Sequence, residues 1–202
     1  MSTEVDATRI PELTGVVSQA LEAARALGAS SADADASVQR GYSVTVRLRE
    51  VETIEYHRDR GLSVTVYFGQ RKGSASTADL ATAAVRQTVE KACAIARHTA
   101  SDDCAGLADA ADMARDFPDL DIDHPWALEV EQAVELARAC EAAGLAVDAR
   151  LTNSEGGSLS THRGVRVYAN THGFIAGTVS TSHSLSCALV AQAGSDMQRD
   201  YW

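Results

Sequence analysis

The residues of this chain whose chemistry could build a site are six histidines, a run of closely spaced aspartates, four cysteines and one polar glycine-rich segment. His162, His172 and His183 are spaced by ten and then eleven residues, which could bring imidazoles onto neighbouring strands as zinc ligands. His57, His98 and His124 are dispersed. No two histidines have the i, i+4 helical spacing of a zinc helix, so surface or turn histidines with ordinary hydrogen bonds are the stronger reading, and no stoichiometric metal is expected. Asp119-x-Asp121-x-Asp123 has the spacing of a calcium loop but lacks its central glycine and its terminal glutamate. Glu52 and Glu55 would do acid–base work only if a partner carboxylate converged on them. The strand serines and threonines lack a base and an orienting group, so they read as β-formers.

The four cysteines, Cys93, Cys104, Cys140 and Cys187, form no C-x-x-C pair and read as buried free thiols of a reducing compartment. Asn153-Ser154-Glu155-Gly156-Gly157-Ser158 is the most specific segment. A hairpin turn accounts for it, but its glycines would also let an extended peptide approach a strand edge. Asn153, Glu155, Gly156 and Gly157 are therefore the candidate substrate-positioning residues. There is no catalytic candidate: the phosphate loop, the dinucleotide fingerprint, the serine elbow and the helical zinc motifs are all missing.

These residues must be held by an acidic chain of 202 residues with net charge −10. That charge argues against a nucleic-acid partner, since the densest basic run, Arg47 to Arg60, is interleaved with Glu50, Glu52, Glu55 and Asp59. The opening Met-Ser-Thr-Glu-Val-Asp has no signal-peptide pattern, and no apolar run reaches the length of a membrane span, so a cytoplasmic protein is expected.

Residues 1–9 read as polar and frayed. Apolar residues at helical spacing predict helices over 11–27, 78–97 and 130–146, the first with Pro11 in its first turn and Gly28 just past its end. Ser76 or Thr77 would cap the second, with Leu80, Ala84, Thr88, Ala92 and Ile95 as its buried stripe. Ala133, Leu136, Ala137, Cys140 and Ala143 would be that of the third. Alternating residues predict short strands over about 32–77 and 149–191, with Gly41 and Gly61 as joins. Helix and strand segregate along the chain, so the fold class is α+β, antiparallel with packed helices.

Two stretches look alike about a hundred residues apart. Arg60-Gly61 leads through a strand to Gly73-x-x-Ser76-Thr77, and Arg163-Gly164 leads to Gly177-x-x-Ser180-Thr181. They predict an internally duplicated helix-plus-meander unit whose two Arg-Gly hairpins superpose. The division expected is 1–128, with an acidic loop at its end, and 129–202.

Several separate motifs then carry a family resemblance. They are Arg71-Lys72-Gly73-Ser74-Ala75-Ser76-Thr77-Ala78-Asp79-Leu80, Asp103-Cys104-Ala105-Gly106-Leu107-Ala108-Asp109, Asp119-Leu120-Asp121 with His124-Pro125, and Leu151 to Ser158. Tyr168-Ala169-Asn170-Thr171-His172-Gly173 and Asp196-Met197-Gln198-Arg199-Asp200-Tyr201 complete the set. In this order they resemble the PmbA/TldD family, on its PmbA (TldE) side, over nearly the whole chain. The resemblance implies a subunit of a cytoplasmic peptidase pair that cleaves peptides and unfolded proteins. It implies a TldD-like partner that carries the zinc on a His-Glu-x-x-x-His helix. This sequence has no such helix, so it is expected to be inactive alone. It also implies a longer protein, of which this chain would be the N-terminal part. The alternative is a non-proteolytic regulatory module acting on a toxin, antitoxin or DNA gyrase partner.

Overall fold

The computed structural model describes residues 5–202. In chain order, α1 (Ile10–Ala26) precedes strands β1 (Ser31–Arg47), β2 (Glu50–Phe68) and β3 (Arg71–Thr77), and α2 (Thr82–His98) follows. After a long loop, α3 (Val130–Leu145) precedes β4 (Leu151–Asn170), β5 (Ile175–Ala193) and β6 (Asp196–Tyr201). The strands hydrogen-bond in the order β3-β2-β1-β4-β5-β6, with β2–β3 and β5–β6 antiparallel. The fold is α+β, as expected. A helix followed by a three-stranded meander occurs twice, and the two meanders run outward from β1 and β4.

The duplication has a different register from the one the sequence suggested. Arg60-Gly61 lies on β2, a second strand, whereas Arg163-Gly164 lies on β4, a first strand. In element order the counterpart of Arg163-Gly164 is Arg40-Gly41 on β1. The hairpins at 60–77 and 163–181 share a local pattern without occupying equivalent places.

By packing, the chain forms two compact units interleaved in sequence. One holds residues up to Gln39, Asp59–Ile122 and Gly164–Ser180; the other holds Arg40–Arg58, Asp123–Arg163 and Thr181–Trp202. The cause is strand length. The strands read as short pieces are fused into runs of 17 to 20 residues, and β1, β2, β4 and β5 each supply both units.

In the first unit α1 buries Leu13, Val17, Ala20, Leu21 and Ala24 against Ala32, Ala34, Ala36, Val64, Val66, Val165 and Val167. Gly28, at φ +85°, closes α1 as a left-handed residue. The structured N-terminus corrects part of the frayed reading. Val5 is buried, and Asp6 caps the turn Ala7–Arg9 by accepting from the Thr8 amide at 2.9 Å; residues 1–4 lie outside the described residues. Helix α2 starts four residues later than expected because Ser76 and Thr77 belong to β3, paired with Ser63 and Leu62. Its buried stripe is therefore Val85, Thr88, Val89, Ala92, Cys93 and Ala96, and Ile95 is exposed. Gly73 permits the close packing of β3 on α2, because a Cβ there would collide with the backbone of Ala92 and Ala96.

In the second unit α3 lays Ala133, Val134 and Ala137 on Val44, Val46 and Leu159. A capping box of Glu129 and Gln132 starts the helix. Of the expected stripe, Leu136 and Ala143 are exposed and Cys140 half-buried; Val134 and Glu141 take their place on the buried face, and Glu141 is fully inaccessible. Its carboxylate accepts from the amides of Leu48 and Arg49 at 2.8 and 2.9 Å. Those two residues make the β1–β2 turn at φ +50° and +71°, a left-handed conformation that costs a non-glycine residue about 1–2 kcal/mol. Burial alone would raise the Glu141 pKa. The Ser154 hydroxyl and the two turn amides outweigh it and hold the carboxyl below its ordinary value of 4.5.

A depressed folded-state pKa contributes stability above the unfolded value, and that stability is lost as pH falls through the folded one. Urea unfolding followed from pH 7 downward should therefore show wild-type stability falling below about pH 4.5, with a shallower fall in Glu141→Gln. At pH 7 the same substitution should cost about 1.5–3 kcal/mol, the range for hydrogen bonds to a charged group. Equal pH profiles for the two proteins would contradict the role given to the carboxylate.

Candidate functional site

The second unit contains a cavity of about 560 Å³, within the usual range of small-ligand sites. It is built from five segments of chain: Arg40-Gly41-Tyr42 on β1, Tyr56-His57-Arg58 on β2, Pro125-Trp126 before α3, Thr161-His162-Arg163 on β4, and Thr181 with His183 on β5. Three guanidinium groups and three imidazoles thus line one concavity of an acidic protein.

Gly41 makes the arrangement possible. A Cβ there would meet the Thr161 carbonyl, His162 Nδ1 at 2.5 Å and His162 Cα at 3.0 Å. In the space that Gly41 leaves, the rings of His57 and His162 approach to 5.5 Å between centroids. His57 Nε2 lies 3.3 Å from the Ser43 hydroxyl. His183 is held at both nitrogens: Nδ1 is 2.8 Å from the Thr161 hydroxyl and Nε2 is 3.1 Å from the His124 carbonyl. Trp126 stands edge-on to His183, with ring centroids 5.5 Å apart, and Tyr42 packs beside Tyr56 at 6.1 Å. The Tyr42 hydroxyl donates to the Leu128 carbonyl at 2.6 Å, which anchors that wall.

The charges are unequally satisfied. Arg163 makes a bidentate pair with Asp123, its Nε at 2.9 Å and its second nitrogen at 2.5 Å. Among the described residues no ion pair engages Arg40 or Arg58, and both are exposed. The lining thus holds two guanidinium groups outside any ion pair, while Glu129 and Glu131, after burial itself, raise the pKa of Tyr42 on one wall.

Zinc does not fit the residues present. No group of three or more His, Cys, Asp or Glu converges among the described residues. His57 and His162 form a pair, and both His183 nitrogens have partners. Of the three histidines whose spacing suggested a cluster, two reach this cavity; His172 lies in the β4–β5 turn, where its amide donates to Asn170 Oδ1 at 3.0 Å. In the acidic run, Asp119 accepts from the Asp121 amide at 3.0 Å and Asp123 takes Arg163.

The four candidate substrate-positioning residues, Asn153, Glu155, Gly156 and Gly157, have structural neighbours within the second unit. They lie on β4, an interior strand flanked by β1 and β5, so its backbone offers no free edge; the edges are β3 and β6. Gly156, at φ +117°, lies against Thr45 and Val46 of β1. Gly157 lies against the Ala137 carbonyl of α3. Glu155 pairs with Arg199 at 2.7 Å, and Asn153 Oδ1 accepts from the Ser154 amide at 2.8 Å. The cysteines also divide: Cys93 and Cys187 are buried and Cys140 half-buried, but Cys104 is exposed. Burial pushes the Cys93 thiol up, and burial followed by the nearby Cys140 does the same to Cys187.

Comparison with known proteins gives a consistent picture. Residues 32–96 match the profile of PmbA/TldA metallopeptidase domain 1, and residues 123–202 match the profile of the PmbA/TldA metallopeptidase central domain. The chain is 46% identical over 189 residues to the metalloprotease PmbA of Escherichia coli O157:H7, covering 94% of this chain and 42% of that protein. A crystal structure from Bacteroides thetaiotaomicron, described provisionally as a modulator of DNA gyrase, overlays with TM-score 0.81 at 24% identity, over 96% of this chain and 45% of that one. The TldE structure from Thermococcus kodakarensis overlays with TM-score 0.60 at 13% identity, over 90% and 41%. The chain thus spans less than half the length of these relatives.

The two glycines that read alike in the sequence should respond differently to a methyl group. Gly41→Ala should cost about 1–3 kcal/mol, as overpacking does, and move the ring resonances of His57 and His162. Gly61→Ala meets only the Thr77 carbonyl at 3.8 Å and should stay within about 0.5 kcal/mol of wild type. Thermal melts with histidine NMR spectra decide it; matching losses for the two variants would contradict the close approach at Gly41.

Proposed function

The chain belongs to the PmbA/TldD metallopeptidase family, and from that premise we propose that it is the N-terminal part of a PmbA-type, or TldE-type, subunit that carries no metal itself. The observation behind this reading is the near-half identity to a metalloprotease over almost the whole of this chain. Two features of the chain support the non-catalytic assignment. Its sequence has no His-Glu-x-x-x-His helix, and its cavity histidines are committed to each other and to hydroxyl and carbonyl partners.

On this reading zinc and the hydrolytic step belong to a TldD-like partner, and the substrates are peptides and unfolded segments of proteins. What this chain contributes is shape. Its six-stranded sheet and packed helices form a scaffold, and its second unit offers a polar concavity to a bound chain. Among the described residues no helix is long and apolar enough to cross a membrane, which is compatible with a cytoplasmic pair. The second reading, a regulatory module acting on DNA gyrase, rests on the provisional description of fold neighbours.

Reconstitution separates the two. The full-length protein that contains this chain should co-purify with a TldD-like subunit, and the pair should cleave an unstructured peptide that neither subunit cleaves alone. Zinc removal should abolish cleavage, and zinc should be found by elemental analysis in the partner. Turnover by the purified 202-residue chain, or an active TldD-like subunit indifferent to this protein, would overturn the proposal.

A further inference from the structure

We propose that the cavity of the second unit is a carboxylate-binding site, which takes the C-terminal carboxylate or an acidic side chain of a peptide. The peptide identity of the ligand rests on the function proposed above; the anionic character rests on the cavity itself. The chain carries net charge −10, yet three of its arginines converge here with three histidines. Only Arg163 is matched, by Asp123. Arg40 and Arg58 approach the cavity from β1 and β2 with no carboxylate partner among the described residues. Their planar guanidinium forks are the donors best suited to a bidentate carboxylate.

The surroundings favour a peptide over a bare ion or a nucleic acid. A space of about 560 Å³ exceeds what a single small anion fills. Tyr42, Tyr56 and Trp126 give it apolar walls beside the charges, suited to the aliphatic part of a side chain or chain end. The overall acidity of the chain repels the extended phosphate backbone of a polynucleotide, whereas Arg40 and Arg58 can still attract a single carboxylate at short range.

The test uses the 202-residue protein and fluorescence anisotropy with three labelled peptides of one neutral sequence. The first ends in a free carboxylate, the second is amidated with one central Glu, and the third is amidated with Gln in its place. At least one carboxylate peptide should bind about tenfold or more tightly than the Gln peptide, and the tighter of the two identifies which carboxylate is read. Arg40→Gln/Arg58→Gln should reduce that binding to the level of the Gln peptide, and raising salt from about 50 to about 300 mM should weaken it several-fold. Both arginines are exposed, so the double variant should keep the wild-type melting temperature. Equal binding of all three peptides, wild-type binding by the double variant, or tighter binding of a short single-stranded oligonucleotide would overturn the proposal. Peptides are bound here by this chain alone, so the result stands or falls separately from cleavage by the pair.

Discussion

A single buried carboxylate fixes the local geometry of the second unit. Glu141 projects from α3 into the β1–β2 turn and accepts from two consecutive amides. Without it Leu48 and Arg49 would hold a left-handed turn with no glycine to relieve it and with their amides unpaired. The turn sets how β2 returns along β1. A slip of one residue would exchange the faces of every side chain on β2 and take His57 away from Gly41. The clamp is thus a structural condition for the cavity.

The same economy of contact recurs at the glycines. Gly73, Gly157 and Gly41 all lie inside or beside strands where a neighbour's backbone comes too close for a side chain. Gly73 seats α2 on β3, Gly157 seats α3 on β4, and Gly41 admits the His57–His162 pair. In each case the missing Cβ allows a layer to close, at Gly157 beside the buried Glu141 and at Gly41 beside the cavity histidines.

The spans of α1 and α3 were legible from their apolar periodicity, whereas α2 starts late because its expected caps, Ser76 and Thr77, are held by β3. The Leu48-Arg49 turn was not, because its conformation is imposed by Glu141 from almost a hundred residues away and leaves no Gly or Asn as a signal. Gly41 and Gly61 read as joins because glycine in a strand pattern usually marks one, whereas here both lie within long strands. Glu141 gives no signal in the sequence, since a glutamate within a helix is ordinarily solvated. The cavity was the least legible part. His162 and His183 were suspected from their spacing, but Arg40, His57, Arg58 and Trp126 come from separate segments that only the sheet order brings together.

The most direct measurement of this account is amide hydrogen exchange at Leu48 and Arg49. A turn is ordinarily among the first places to exchange. If Glu141 clamps it, both amides should exchange as slowly as those within β1 and should lose that protection in Glu141→Gln, with the His57–His162 ring proximity weakening in parallel. Fast exchange of both amides in the wild-type protein, with the two rings still in contact, would contradict the dependence of the site on this carboxylate.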